Sequence, residues 1–175
     1  MQRGTVIWFT GHSKSGKTTL TRLLHEELKN MGCRSIRLDS DTLPEAIIKP
    51  QSSTWEERQH LKNENLLFMS RLLSERGDIV LIASVGRYAE WRDRMRREIA
   101  DFCEIFLKCS LDTRLDRDVE RKYETHQEYF HFYEEPEQPD LILETDRQTV
   151  QQSVRSLLDF LHLRGTIPPV DPQSV

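Results

Sequence analysis

Residues Gly11-His12-Ser13-Lys14-Ser15-Gly16-Lys17-Thr18 constrain this chain more than any other stretch. They follow the apolar run Val6-Ile7-Trp8-Phe9 and precede leucines at helical spacing. A G-x-x-x-x-G-K-T pattern between a strand and an amphipathic helix reads as a phosphate-binding loop. The glycines let the backbone wrap with its N–H groups inward. The helix that starts there adds partial positive charge at the same point. In this pattern Lys17 offers a full charge to the β- and γ-phosphates of ATP, and Thr18 offers a hydroxyl to Mg2+. Thr19 carries the loop into the helix. An ordinary Gly/Ser turn is the bland alternative, and the flanking strand and helix weigh against it.

The rest of the chain alternates strand-like and helix-like segments. Strands are expected over 5–10, 34–38, 78–84, 104–109 and 141–143. Helices are expected over 17–31, 55–76, 88–100, 111–123 and 146–161, with an irregular stretch between Pro44 and Pro50. Inward faces are assigned to Leu20, Leu23, Leu24 and Leu28; to Leu66, Met69, Leu72 and Leu73; to Trp91, Met95 and Ile99; and to Val150, Val154, Leu157, Leu158 and Leu161. This is an α/β pattern, with a central parallel sheet of about five strands and helices on both faces. At 175 residues it suits one domain over 1–163, followed by a Pro-containing tail, 164–175, expected to lie loosely on the surface. In such a sheet, ligands bind beyond the carboxyl ends of the strands.

Composition narrows the partners. Lys and Arg number 25 against 29 Asp and Glu, a net charge of -4. That balance gives no support for nucleic-acid or membrane binding and leaves a small molecule as the ligand. The cysteines, Cys33, Cys103 and Cys109, match neither a disulfide framework nor a zinc site, so they read as small buried apolar residues in a reduced, cytoplasmic setting. No apolar run reaches transmembrane length, and Met1-Gln2-Arg3-Gly4 shows no signal-peptide pattern.

Several side chains near strand ends could carry chemistry. Asp39 and Asp41 follow the second strand, where carboxylates can hold Mg2+ waters or accept a proton from an attacking hydroxyl, and Asp41 is the candidate base. A turn and helix cap is the competing reading of Asp-Ser-Asp. Arg58 follows the N-cap Thr54 and reads by composition as a helix-face residue. Arg87, Arg92, Arg94, Arg96 and Arg97 form the densest basic run. A solvated face is its default, with anion binding open to Arg87 or Arg92. From Arg114 to Tyr133, arginines stand beside Tyr129-Phe130-His131-Phe132-Tyr133. A lid over a nucleotide and an ordinary packing patch both fit. His126 and His131 lack metal-ligand spacing.

Together these segments resemble the adenylylsulfate kinase family. Val6 to Gly11 running into Gly16-Lys17-Thr18-Thr19 is similar to the family's V-I-W-x-T-G and S-x-S-G-K-[ST]-T. Leu38-Asp39-Ser40-Asp41 stands at L-D-G-D, and Glu57-Arg58 at its D-R. Tyr88 and Arg92 follow S-P-Y-R-x-x-R, and Arg117-Asp118 and Tyr123 follow E-R-D-P-K-G-L-Y. Tyr133 to Leu141 follows Y-E-x-P-x-x-P-D-L. The likeness runs from residue 4 to about 146. It implies a P-loop kinase fold with a short lid, ATP and Mg2+, and phosphoryl transfer to the 3′-hydroxyl of adenylylsulfate in sulfate assimilation. It further implies Arg58 on the acceptor's phosphosulfate, Tyr88 on the acceptor side, Arg117 on the nucleotide side, and a homodimer.

The chain departs from the family pattern on the acceptor side. Ser40 replaces a glycine, and Pro44 stands where the family has an acceptor-binding arginine. Ser53 stands where a phenylalanine stacks on the acceptor's adenine. Leu61 or Lys62 falls at an expected asparagine, and Gly86-Arg87-Tyr88 replaces S-P-Y. The lid is about eight residues shorter. Trp55, Phe130, Phe132 or Arg87 are the residues placed to compensate. A kinase of the same fold with a different small acceptor is one alternative to adenylylsulfate phosphorylation. An ATP-binding switch or pseudo-enzyme is another, and the presence of Lys17, Thr18, Asp39 and Asp41 speaks against it.

Overall fold

A computed structural model of the chain describes residues 4–125 and 131–168. His126, Tyr129 and Phe130 of the aromatic segment, residues 1–3 and the tail from 169 onward lie outside them. Five strands form one parallel sheet: β1 (Val6–Thr10), β2 (Ser35–Asp39), β3 (Ile79–Ala83), β4 (Phe102–Lys108) and β5 (Leu141–Glu144), in the order β2-β3-β1-β4-β5. The main helices are α1 (Lys17–Asn30), α3 (Trp55–Glu75), α4 (Ala89–Glu98) and α7 (Val150–Leu163). Short ones are α2 (Glu45–Ile48), α5 (Leu111–Asp116) and α6 (Lys122–Thr125).

The strand pleat sorts the core into two layers. Ile7 and Phe9 of β1 join Leu81 and Ile105 under α1 and α7, against Leu24, Leu28, Leu157 and Leu161. Val6 and Trp8 point the other way and join Val80 and Ile82 under α3 and α4, against Leu66 and Met95. β1 is therefore buried on both faces, as its unbroken apolar run requires. Two of the main helices, α3 and α7, start on side-chain caps. The Thr54 hydroxyl accepts from the Glu57 N–H at 3.1 Å, and Thr149 and Gln152 form a reciprocal capping box. No helix among the described residues is long and apolar enough to cross a membrane.

Four expectations are corrected. Leu72 and Val150 face solvent rather than the core, at 52% and 40% exposure, and Leu67 is buried instead. The helix expected over 111–123 is broken in two. Asp118 turns its carboxylate onto the Tyr123 N–H at 2.8 Å, and Arg121 adopts a left-handed φ of 54°. The tail does not begin loosely: Ile167 is buried in the core, and Arg164 ion-pairs with Asp101 at 2.7 Å. Of the cysteines only Cys103 is fully buried.

Candidate active site

The carboxyl ends of the strands open onto a cavity of about 550 Å3. Lys17, Thr18, Asp41, Arg87, Arg117 and Gln148 are among the residues that line it. The order of the sheet explains the convergence. β1 is central, so its glycine loop emerges between the segments that follow β3 and β4. Gly16 caps α1 with φ 102°, a conformation that side-chain-bearing residues rarely adopt. This lets the backbone turn into the helix directly at the cavity wall.

Lys17 is buried and reaches back over the loop. Its Nζ donates to the carbonyls of Gly11 at 2.9 Å and His12 at 2.7 Å. Burial pulls its amine down to about 7, with Asp41 opposing the shift and Arg87 adding to it. The Thr18 hydroxyl stands 3.3 Å from Asp41 Oδ2 and 3.4 Å from Asp39 Oδ1. Asp39 is buried, ion-paired to Arg37 at 2.7 Å, and accepts the Asp41 N–H at 3.0 Å. It thus orients its neighbour, while Asp41 itself faces the cavity. These hard oxygens fit Mg2+, which is held by one or two carboxylates with the remaining positions left to water and phosphate. Among the described residues no cluster of three His, Cys, Asp or Glu forms a full protein cage.

Of the other loop residues, Ser13, Lys14, Gly16 and Thr19 line the cavity. Gly11 and Ser15 are buried behind it. His12 packs its ring against Tyr133, with centroids 4.9 Å apart.

The loop is braced from far along the chain by contacts that the sequence does not announce. The Tyr123 hydroxyl donates to the Ser13 carbonyl at 2.7 Å and accepts from Arg114 Nη1 at 2.9 Å. Thr145 Oγ1 donates to the Ser15 carbonyl at 2.8 Å. Arg117 lies on the wall and clasps Thr145 O at 2.7 Å and Lys14 O at 3.4 Å. Lys14 ion-pairs with Glu120 at 2.9 Å and Asp118 at 3.5 Å.

The opposite wall is thinner. Arg87 enters the cavity with Nη1 donating to Phe132 O at 2.9 Å and its guanidinium over the Trp55 ring at 5.5 Å. Arg58 and Tyr88 do not reach the cavity wall. Arg58 Nε donates to Ser52 Oγ at 3.4 Å, and Tyr88 sits edge-on to Trp91 with centroids 4.5 Å apart. Ser53 is exposed, its N–H bonded to Glu57.

Arg92 overturns the expectation of a solvated basic face. It is 2% exposed, paired with Glu104 at 2.7 Å, and donates to the carbonyls of Gly86 and Glu134. Burial raises the Glu104 carboxyl above its ordinary value, and Arg92 opposes this. The turn that Arg92 holds needs Gly86. At φ 61°, a Cβ there would meet Trp8 Cζ2 at 2.9 Å.

Lys62, assigned no role by the sequence reading, is half-buried on α3 within electrostatic range of Arg87 and Asp41. Burial lowers its amine to about 8. Arg87 lowers it further, and Asp41 opposes.

A family model described as adenylylsulphate kinase matches residues 3–144. A probable adenylyl-sulfate kinase of Pseudomonas aeruginosa is 36% identical, over 89% of this chain and 76% of its own length. The adenylyl-sulfate kinase of Halothermothrix orenii is 33% identical, over 95% and 94%. Among solved structures, the APS kinase CysC of Mycobacterium tuberculosis in complex with AMPPNP and APS superposes with a TM-score of 0.81. It is 28% identical and covers 93% of this chain and 99% of that one.

Proposed function

The chain belongs to the adenylylsulfate kinase family, and on that premise we propose how its own residues transfer the γ-phosphoryl group of ATP to the 3′-hydroxyl of adenylylsulfate. The observation that carries the reading is the meeting of Lys17, Thr18 and Asp41 in one cavity. A phosphate-neutralising amine, a metal-competent hydroxyl and an exposed carboxylate stand where a transferred phosphoryl group needs all three.

In this reading the loop N–H groups and Lys17 hold the β- and γ-phosphates, and Lys17 exchanges the Gly11 and His12 carbonyls for phosphate oxygens. Arg117 flanks the nucleotide, fixed by Thr145. Thr18, with Asp39 and Asp41 beside it, would hold Mg2+, and the ion would supply neutralisation of phosphate charge. Asp41 accepts the acceptor's hydroxyl proton as its oxygen attacks the γ-phosphorus. The bond to the bridging oxygen breaks, and ADP leaves. Positioning and charge supply most of the acceleration, because little covalent chemistry is left to the protein. On the acceptor side Arg58 and Tyr88 form the outer contacts and Arg87 the inner one. A cytoplasmic homodimer completes the reading.

The experiment is an acceptor panel. Purified protein with ATP and Mg2+ is expected to convert adenylylsulfate to its 3′-phosphorylated form with equimolar ADP. The reading falls if adenylylsulfate is left untouched while another small hydroxylated or phosphorylated acceptor is consumed.

A further inference from the structure

Tyr133 stands between the donor loop and the turn after β3 and is tied to both. Its ring packs against the His12 ring, with centroids 4.9 Å apart, and stacks on Phe106 of β4 at 5.9 Å. The Arg92 guanidinium lies 5.4 Å from the same ring centroid. The Tyr133 hydroxyl is 2.8 Å from Thr10 Oγ1, at the end of β1. Thr10 has one hydroxyl proton and gives it to Val85 O at 2.7 Å, so Tyr133 is the donor to Thr10. Burial raises the Tyr133 hydroxyl above its ordinary value and keeps it in that role.

The residues on either side of Tyr133 are stitched to the turn after β3. Phe132 O accepts from Arg87 Nη1 at 2.9 Å, and the Glu134 N–H donates to Arg87 O at 2.9 Å. Arg87 is thus held by side chain and main chain at once. Glu134 Oε2 accepts the Ala89 N–H at 2.6 Å, and Glu134 O accepts from Arg92 Nη2 at 2.7 Å. On the donor side, His12 O accepts from Lys17 Nζ at 2.7 Å, and Lys17 is the group that phosphate must recruit. Arg87 and Lys17 line the cavity, whereas His12 and Tyr133 do not. Tyr133 therefore acts on a ligand only through its neighbours.

We infer that Tyr133 is a positioning residue that couples nucleotide in the donor loop to the placement of Arg87 on the acceptor side. With the loop empty, Lys17 pulls on the His12 carbonyl. When phosphate takes the Lys17 amine, the His12 peptide is released and its ring settles against Tyr133. Phe106 backs the tyrosine, so the change passes to residues 132 and 134 and narrows the range open to Arg87. An acceptor that meets a fixed Arg87 loses less freedom in ordering it, which makes the coupling favourable. The direct bonds from Thr10 Oγ1 and the Gly11 N–H end at Val85 O, short of Arg87. The contact of Arg87 with the acceptor rests on the proposed acceptor reading, but the link from loop to turn does not.

Two measurements keep these apart. Exchange of the Ala89 and Glu134 amide hydrogens is followed by NMR with and without ADP and Mg2+. In the wild type, nucleotide is expected to slow both by at least about threefold. Tyr133→Leu removes the ring and the hydroxyl. In it the two amides should no longer respond, while those of the loop at 13–18 are still protected. Calorimetry then gives adenylylsulfate affinity with the donor site empty and with ADP and Mg2+ bound. ADP is expected to tighten it about tenfold in the wild type, and adenylylsulfate to tighten ADP by the same factor. In Tyr133→Leu this factor should fall to about twofold or less, with each ligand's affinity for the otherwise empty protein changed by less than about threefold. His12→Ala removes the ring contact from the loop side and should reduce the factor likewise, which keeps the test decisive where Tyr133→Leu does not fold. The role is overturned if the wild-type amides ignore nucleotide, if either variant keeps the wild-type coupling, or if Tyr133→Leu lowers both affinities and leaves their ratio intact. Wild-type protein whose amides respond through Tyr133 and which does not bind adenylylsulfate overturns the acceptor reading and leaves the coupling standing.

Discussion

The donor and acceptor walls of the cavity are built on different principles. On the donor wall, backbone does the contacting and distant side chains hold it in place. Tyr123, Thr145 and Arg117 each bond to carbonyls of the loop, from positions more than 100 residues downstream. On the acceptor wall, side chains do the contacting. Arg87 rests on Trp55 and Phe132 O, and Arg58 stands off the wall on a 3.4 Å bond to Ser52. A backbone cradle serves the triphosphate that P-loop kinases share, and any change to it perturbs many bonds at once. A side-chain wall can be altered one residue at a time. Of the departures from the family pattern, Ser40 and Arg87 line the cavity, while Ser53 is exposed with its N–H bonded to Glu57.

The contrast can be broken at its junction first. Asp41→Asn is expected to lower the transfer rate by about 10³-fold while ATP affinity stays within about threefold, measured by single-turnover ADP release and equilibrium binding. Transfer that persists would remove Asp41 as the base. Lys17→Met should weaken ATP binding by about 30-fold or more, with acceptor affinity little changed.

The walls should also separate by pH. The Lys17 amine, lowered to about 7 by burial, must be charged to hold phosphate. Below that value it is already protonated. Above it, ATP binding must recruit a proton, so ATP affinity should fall about fivefold from pH 7 to 8, with proton uptake visible as buffer-dependent heats. Acceptor affinity, which does not draw on the Lys17 amine, should stay level over the same interval. Coincident profiles, or a donor profile that survives Lys17→Met, would erase the distinction.

Tyr123→Phe removes the hydroxyl that bridges Arg114 and Ser13. It should raise the KM for ATP about three- to fivefold and leave the acceptor's KM unchanged. An equal rise in both would mean that the brace serves the whole cavity. The smallest change is expected from Arg58→Met, about twofold in the acceptor's KM, because Arg58 stands off the wall. An effect of about tenfold or more would put Arg58 in direct contact with the acceptor.

How far the sequence could be read follows the same division. The loop, the strands and α1 were legible because each is set by local pattern: an apolar run, two glycines and leucines at helical spacing. Lys17, Thr18 and Asp41 were legible because position after a strand places them at its carboxyl end. Arg92 was not. Its neighbours are charged, and only Glu104 on β4 and the carbonyls of Gly86 and Glu134 make its burial favourable. The break inside 111–123 was hidden because Asp118 competes for the backbone only once it meets Tyr123 in space.

The hydrogen bonds from Tyr123 and Thr145 to the loop have a consequence for the order in which the protein becomes competent. The ribosome makes Ser13 110 residues before Tyr123 and Ser15 130 residues before Thr145, so both loop residues wait for their partners to emerge. β5, which carries the chain to Thr145, completes the sheet edge at the same moment. A nascent chain halted before that point carries the whole phosphate-binding motif without its supports. Nucleotide retention on stalled chains of increasing length should therefore rise in two steps, near these two residues, rather than with the motif itself.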